Sequence, residues 1–330
     1  MSGRPSAWYQ LRASRAQPPG RATNDPARAG IYRASLQQSE ELMRAAGAVG
    51  PASRPLPLYY ALSQAGRAIV AARGDEAESP PLHGLSLPTV AQRILETAVE
   101  PEPRGQFPAV AEAVESPGLS TVVQLGGLMA TIPELAAFPQ LGGRWPTALP
   151  LWRSDPESIW SQSAASTGFG TTLRMAALVV VFPDPVPASV DELRAALALY
   201  PKAAQVDCSS LGGPPQEETR DGPGVVVQWP DHGDESDPLP PRYGPEDRRW
   251  LRPAVCGTDL PPNLLMTWWA LLYGLSMLAR YHPVEWVRAL DLDSSFVAVI
   301  LERALDVALE VVPELVLEAI EAADGQIPTT

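Results

Sequence analysis

The stretch from Asn263 to His282, NLLMTWWALLYGLSMLARYH, is almost uncharged and carries apolar or aromatic residues on every face of a helix. That pattern belongs to a helix surrounded by protein on all sides. The rest of the chain must then supply its shell. Asn263, after Pro261 and Pro262, stands where its side chain can cap the first turn. Pro283 has no amide hydrogen and sets the C-terminal limit. A membrane span is the rival reading of such a run. Leu264 to Ala279 falls short of the roughly 18 residues a span requires. Thr267, Gly274 and Ser276 also interrupt it. The run is therefore read as the central helix of a soluble body that does not enter a membrane.

A second helix is predicted over Leu56 to Arg73, where Leu58, Leu62, Ala65, Ile69 and Ala72 recur three or four apart and Gly74 stops the pattern. Tyr32, Leu36 and Met43 give an amphipathic helix from Ala29 to Ala46, ended by Gly47. Before it, residues 1–28 lack any period and read as a loosely ordered arm, with Trp8, Tyr9 and Leu11 as its one anchor. ILETAVE and QFPAVAEAV predict a pair of short strands, and Ser120 an N-cap leading a short helix. Thr171 to Phe182 and Gly224 to Trp229 read as strands, and Ser189 with Glu192 as the capping box of a helix. SLGGPPQEETRDGPG and DHGDESDPLPPRYGPEDRR read as long exposed loops. Ser294 or Ser295 is expected to cap a long final helix, kinked or split at Pro313. No linker separates two cores, so residues 29–330 are expected to form a single domain with a Pro- and acid-rich insertion at about 209–248.

With a net charge of -13, the chain is disfavoured as a broad nucleic-acid binder, because phosphate backbones attract proteins of the opposite sign. Cys208 and Cys256 form no CxxC pair and no apolar leader opens the chain, so the expected location is the cytoplasm. Gly168-Phe-Gly170 precedes a strand and lacks the third glycine of a dinucleotide loop. Gly274-Leu-Ser276 lacks the last glycine of a nucleophile elbow. No catalytic constellation, cofactor motif or metal-ligand spacing is complete. The acidic run Asp231, His232, Asp234, Glu235, Asp237 reads as solvated loop.

LYYALSQAGRAIVAA followed by HGL, GQFPAV, LSTVVQLGGLMATIPEL and the late WWALLYGLSMLARYHPVEW together resemble the YaaC-like proteins of bacteria, from about Ala29 to Leu290. The YYALxxAxRA helix followed by His-Gly is also similar to the shared helical element of the HEPN superfamily, which includes ribonucleases and toxins. The resemblance implies a mainly α fold with a HEPN-like helical core and a small β insertion, α+β overall. It does not carry over a ribonuclease site. HEPN ribonucleases place four to six residues between Arg and His, whereas Arg73 to His83 is too wide and Arg280 to His282 too narrow.

Five residues form the candidate ligand site: Arg67, His83, Arg280, His282 and Tyr60. If the two long helices pack side by side, these converge into a basic pocket for a phosphate or carboxylate, which suits the two-pronged arginine side chain. Three of them have a plainer reading. His83 can fix the turn that Gly84 permits, and Arg280 and His282 can sit at a helix C-terminus because its dipole favours cations there. The function expected is binding, of a protein partner or a small anionic ligand. The alternative is a HEPN-type ribonuclease or nucleotide-modifying enzyme.

Overall fold

The structure, a computed structural model, describes residues 6–138, 140–141, 143–154, 174–183, 185–201, 203, 216–231, 242–243 and 248–323. Along them run α1 (Ala7–Ser14), α2 (Pro26–Ala48), α3 (Pro55–Arg73), β1 (Leu85–Ser86), β2 (Ala98–Pro101), α4 (Gln106–Ala113), β3 (Val123–Gln124), α5 (Leu125–Ala130), β4 (Leu149–Arg153), β5 (Arg174–Val181), α6 (Val190–Leu197), β6 (Gln216–Thr219), β7 (Gly222–Asp231), β8 (Arg242–Tyr243), β9 (Arg248–Leu251), α7 (Leu264–Tyr281), α8 (Pro283–Ala289) and α9 (Ala298–Glu321). The architecture is mixed α+β. It divides into two compact units, residues 1–129 with 256–330, and residues 130–255.

In the first unit α7 is buried from Leu265 to Leu278. Its first turn is capped as the sequence predicts, with Asn263 Oδ1 accepting from the Met266 amide at 2.9 Å. α3 runs antiparallel to it, since Gly66 meets Trp269 while Tyr60, earlier on α3, meets Arg280, later on α7. A Cβ on Gly66 would lie 2.3 Å from the Trp269 ring, so only glycine lets the indole lie across α3. Gly274 does the same for Leu125 and Val99 on another face of α7. α2 packs along α3, and α9 touches α2, α3 and α7. β1, β2 and β3 make a small antiparallel sheet, with Leu85 opposite Pro101 and Ala98 opposite Gln124. No helix among the described residues is long and apolar enough to cross a membrane.

Several local predictions change. QFPAVAEA is helical, not a strand, because its first amides find acceptors: the Gln106 and Phe107 N–H groups donate to the carbonyls of Leu82 and His83, at 2.7 and 2.9 Å. β2 therefore pairs with β1 and β3. Ser120 caps no helix. It donates from backbone and side chain to the Cys256 carbonyl, and the next helix waits until Leu125. Gly47 lies inside α2, and α9 runs through Pro313 unbroken because Val312, Leu315 and Val316 around it are held in the core. Ser294 donates to Asp291 and does not cap α9. Within the arm expected to be loose, α1 buries Ala7 and Leu11, with Ala22 also buried a little further on.

The second unit is a six-stranded antiparallel sheet in the order β6-β7-β5-β4-β9-β8. β6 and β8 come from stretches that read as exposed loop. The overlooked signal is Asp221-Gly222, where Gly222 takes the positive φ of 117° that a tight hairpin asks for. Leu193 and Leu197 of α6 lie on Leu149, Leu151, Leu178, Val180, Val225, Val227 and Leu251, the alternate residues of the four central strands. Ser189 caps α6, its Oγ accepting from the Glu192 amide at 3.2 Å, and Glu192 Oε2 accepts from the Ala188 amide at 2.8 Å, one residue before the N-cap amide that a capping box uses. The Arg248 guanidinium sits 4.2 Å from the ring of Trp152 and 5.8 Å from that of Trp250, and pairs with Asp221. Gly168-Phe-Gly170, Cys208 and most of the acidic run from Asp231 to Asp237 lie outside the described residues.

Candidate functional site

Tyr59 and Tyr60, adjacent on α3, point in different directions because successive helical residues are about 100° apart. Tyr59 is fully buried and faces α7, whereas Tyr60 is 37% exposed at the edge. His83 reaches Tyr59 from the turn after α3. Gly84, at φ 78°, and Gly105, at φ 145°, let that turn press against the start of α4, where a Cβ on Gly105 would lie 2.2 Å from the Gly84 nitrogen. The His83 backbone is thus fixed by α4 while its ring is left to the tyrosines.

The rings of Tyr59, His83 and Tyr273 form a triangle with centroids 5.5 to 5.6 Å apart. The Tyr59 hydroxyl and His83 Nδ1 are hydrogen-bonded at 2.9 Å. Burial pushes the Tyr59 phenol upward, helped by Tyr273 beside it, so it keeps its proton. Tyr273 is pushed up to about 12 by burial and then by the charge of Glu102. Burial, and after it the positive charge of Arg280, holds His83 below the ordinary histidine value of 6.5, so its ring is neutral at pH 7. The cluster is a neutral hydrogen-bonded ring set with one cation at its rim.

That cation is Arg280. Its Nη1 donates to the Tyr60 hydroxyl at 3.1 Å, and its guanidinium lies 4.9 Å from the Tyr281 ring centroid. No carboxylate among the described residues stands within ion-pair distance of it. Tyr60, His83 and Arg280 are therefore brought together. Arg67 lies two turns further along α3, roughly 10.5 Å on by helical rise, and lines a separate pocket of about 270 Å³ with Gln38, Gln64 and Ser79. His282 joins α7 to α8 through its backbone, its N–H on the Leu278 carbonyl at 2.9 Å and its carbonyl accepting from Trp286 at 3.0 Å. Tyr273 completes the ring triangle. Its place in the buried run made it read as core packing, and only its spacing opposite Tyr59 across two antiparallel helices would have marked it.

A larger cavity lies elsewhere. About 1010 Å³ opens at the other end of α3, lined by Arg21, Arg73, Asp75, Glu112 and Glu115 among others. Both of its arginines are spent on acids, Arg21 on Asp75 at 2.6 Å and Arg73 on Glu115 at 3.7 Å. Arg73 also donates to the Ala319 carbonyl at 3.0 Å, which ties α3 to α9. Size alone favours this cavity; unpaired chemistry favours the rim of the histidine–tyrosine cluster. Among the described residues no group of three His, Cys, Asp or Glu is placed to hold a metal ion.

Comparison with curated proteins and with solved structures returned no match. The family model described as YaaC-like Protein matches residues 8–320, nearly the whole chain, and the protein belongs to the YaaC-like family.

Proposed function

We propose that this YaaC-like protein is a cytoplasmic binding protein that recognises a small anionic group, a phosphate or carboxylate, at the rim formed by Arg280 and Tyr60 over His83. The observation that carries this is the exposed Arg280 guanidinium, aligned by the Tyr60 hydroxyl but matched with no acid among the described residues of a protein whose formal charge is -13. One donor of the guanidinium is spent on Tyr60, which orients the fork. The rest remain for an oxyanion, and charge-assisted bonds of this kind are about twice as strong as neutral ones. Neutral His83 adds polarity behind the rim without adding positive charge.

Thermal unfolding in the presence of inorganic phosphate, citrate and nucleotides tests the reading. A ligand that binds only the folded state stabilises it by RT ln(1 + [L]/Kd), about 2.7 kcal/mol at a hundredfold excess over Kd. Wild type is expected to melt higher with at least one of these anions. Arg280→Ala should abolish the shift, and Tyr60→Phe should weaken it. Unchanged melting with every anion rejects an anion site and leaves the protein partner as the object of binding.

The approach of the Arg280 charge to His83 favours one second reading, a HEPN-type ribonuclease or nucleotide-modifying enzyme built on a HEPN-like helical core. RNA added to the same series distinguishes it: cleavage that disappears in a His83→Ala, His282→Ala double variant supports catalysis, and cleavage that persists belongs to a contaminant.

A further inference from the structure

α8 has one inward face. Trp286 on it is fully buried and donates its indole N–H to the Ala52 carbonyl at 3.0 Å, and Ala289 is buried beside it. The outward face of so short a helix should be polar. It instead presents Val284 and Val287, 64% and 55% exposed, with Tyr281 before them and Leu292 after them each 60% exposed. Val284 and Val287 line an open groove of about 600 Å³ with Pro283, Arg288 and Asp291. Scattered apolar residues on a surface need no explanation, but several gathered on one face mark a surface that is covered by something.

The charges of the groove indicate what covers it. Arg288 and Asp291 stand three residues apart on the same groove, yet they do not pair. Asp291 is turned toward Ser294 Oγ at 2.6 Å and the Asp293 amide at 3.1 Å, which hold its carboxyl below the usual carboxylate range. Among the described residues Arg288 has no carboxylate within ion-pair distance. Among the described residues the apolar strip thus carries one cation that no anion meets and one anion that no cation meets. A two-fold rotation that laid the valines of one copy against those of another would set each Arg288 beside the other copy's Asp291. Contacts of this self-complementary kind are what a two-fold dimer interface requires. Two molecules of charge -13 repel each other over most of their surfaces, and the lining of this groove is neutral, so here they can approach.

We propose that the outward face of α8 is the two-fold interface through which two copies of this chain associate. Sedimentation of the full chain over a wide concentration range tests it. Wild type is expected to reach twice the chain mass. Val287→Glu, which sets a carboxylate in the apolar centre, should leave single chains at the same concentration. Arg288→Asp alone and Asp291→Arg alone each place like charges across the axis and should do the same. Mixed in equal amounts, these two variants recover both opposite-charge pairs, and dimers should return. A groove made for a different partner gives no such recovery. Val287 and Arg288 face solvent, so their variants are expected to keep the wild-type circular dichroism. Should Asp291→Arg loosen the turn that holds Ser294, Val287→Glu and Arg288→Asp still decide the matter. Wild type that stays a single chain at every concentration overturns the proposal, as does a dimer that the substitutions leave intact.

Discussion

His83 is the residue where position and chemistry meet most directly. Its ring touches Tyr59 and Tyr273, and the charge it feels is that of Arg280. A base whose folded pKa is depressed takes up its proton more readily when unfolded. Its contribution to stability is therefore fully present above the ordinary value of 6.5 and is lost as pH falls through the folded value. We expect the His83 ring signal in proton NMR to titrate with a midpoint below 6.5, and Arg280→Ala to move that midpoint upward because the repelling charge is gone. A midpoint at or above 6.5 in the wild type would place the ring in water, and an unmoved midpoint in the variant would place Arg280 too far away to matter. Tyr60 and Arg280 could be chosen from sequence because they are polar residues near the ends of two apolar helices, and His83 because it is one of three histidines and stands between apolar neighbours. Arg67 shares the polar flank of α3, yet position along the helix axis separates it from the others, and no sequence pattern reports which turn of one helix meets which turn of the next.

At the scale of elements, α3 and α7 were legible because their apolar spacing is long, strong and bounded by Asn263, Pro283 and Gly74. α4 was not, and α5 was read without its start, since these boundaries are set by distant backbone acceptors, the Leu82 and His83 carbonyls for α4 and the Thr97 carbonyl for Leu125. α1 belongs to the same class. Glu40 of α2, 9% exposed, gathers Arg12, Arg15 and Arg44, and Ser14 Oγ lies 2.7 Å from the Tyr32 hydroxyl. The Arg12 hydrogen bond, ahead of the charges of Arg12, Arg44 and Arg15, holds the Glu40 carboxyl below its ordinary value of 4.5. A carboxylate of lowered folded pKa contributes stability that is present above its unfolded value and is lost as pH falls through the folded one. Glu40→Gln keeps the shape and removes the charge. Hydrogen exchange of residues 7–14 is therefore expected to quicken in this variant while α3 stays protected, and wild type should show the same selective loosening as pH drops below about 4.5. Equal protection of α1 in both proteins would mean that Leu11 alone holds it.

For the whole molecule, the borders at Met129–Ala130 and Val255–Cys256 went unseen in the sequence because neither is a Gly- or Ser-rich linker, and the first falls inside α5. What separates the units is how each satisfies itself. Residues 130–255 bring a sheet whose four central strands are paired on both sides, a helix whose Leu193 and Leu197 close one face, and local ties such as Tyr200 to the Thr147 carbonyl at 2.6 Å and Arg252 to the Thr131 carbonyl at 3.0 Å. Each large apolar side chain of that core contributes about 1.5 to 3 kcal/mol when fully buried. Residues 130–255 produced alone are accordingly expected to give a β-type far-ultraviolet spectrum and a single cooperative melt. Leu178→Ala in that fragment, which empties part of the α6 contact, should lower its stability by about 2 to 5 kcal/mol. A fragment that melts without cooperativity, or that ignores Leu178→Ala, would mean that the sheet depends on the chain outside it, and the single integrated domain suggested by the absence of a linker would then be the better description.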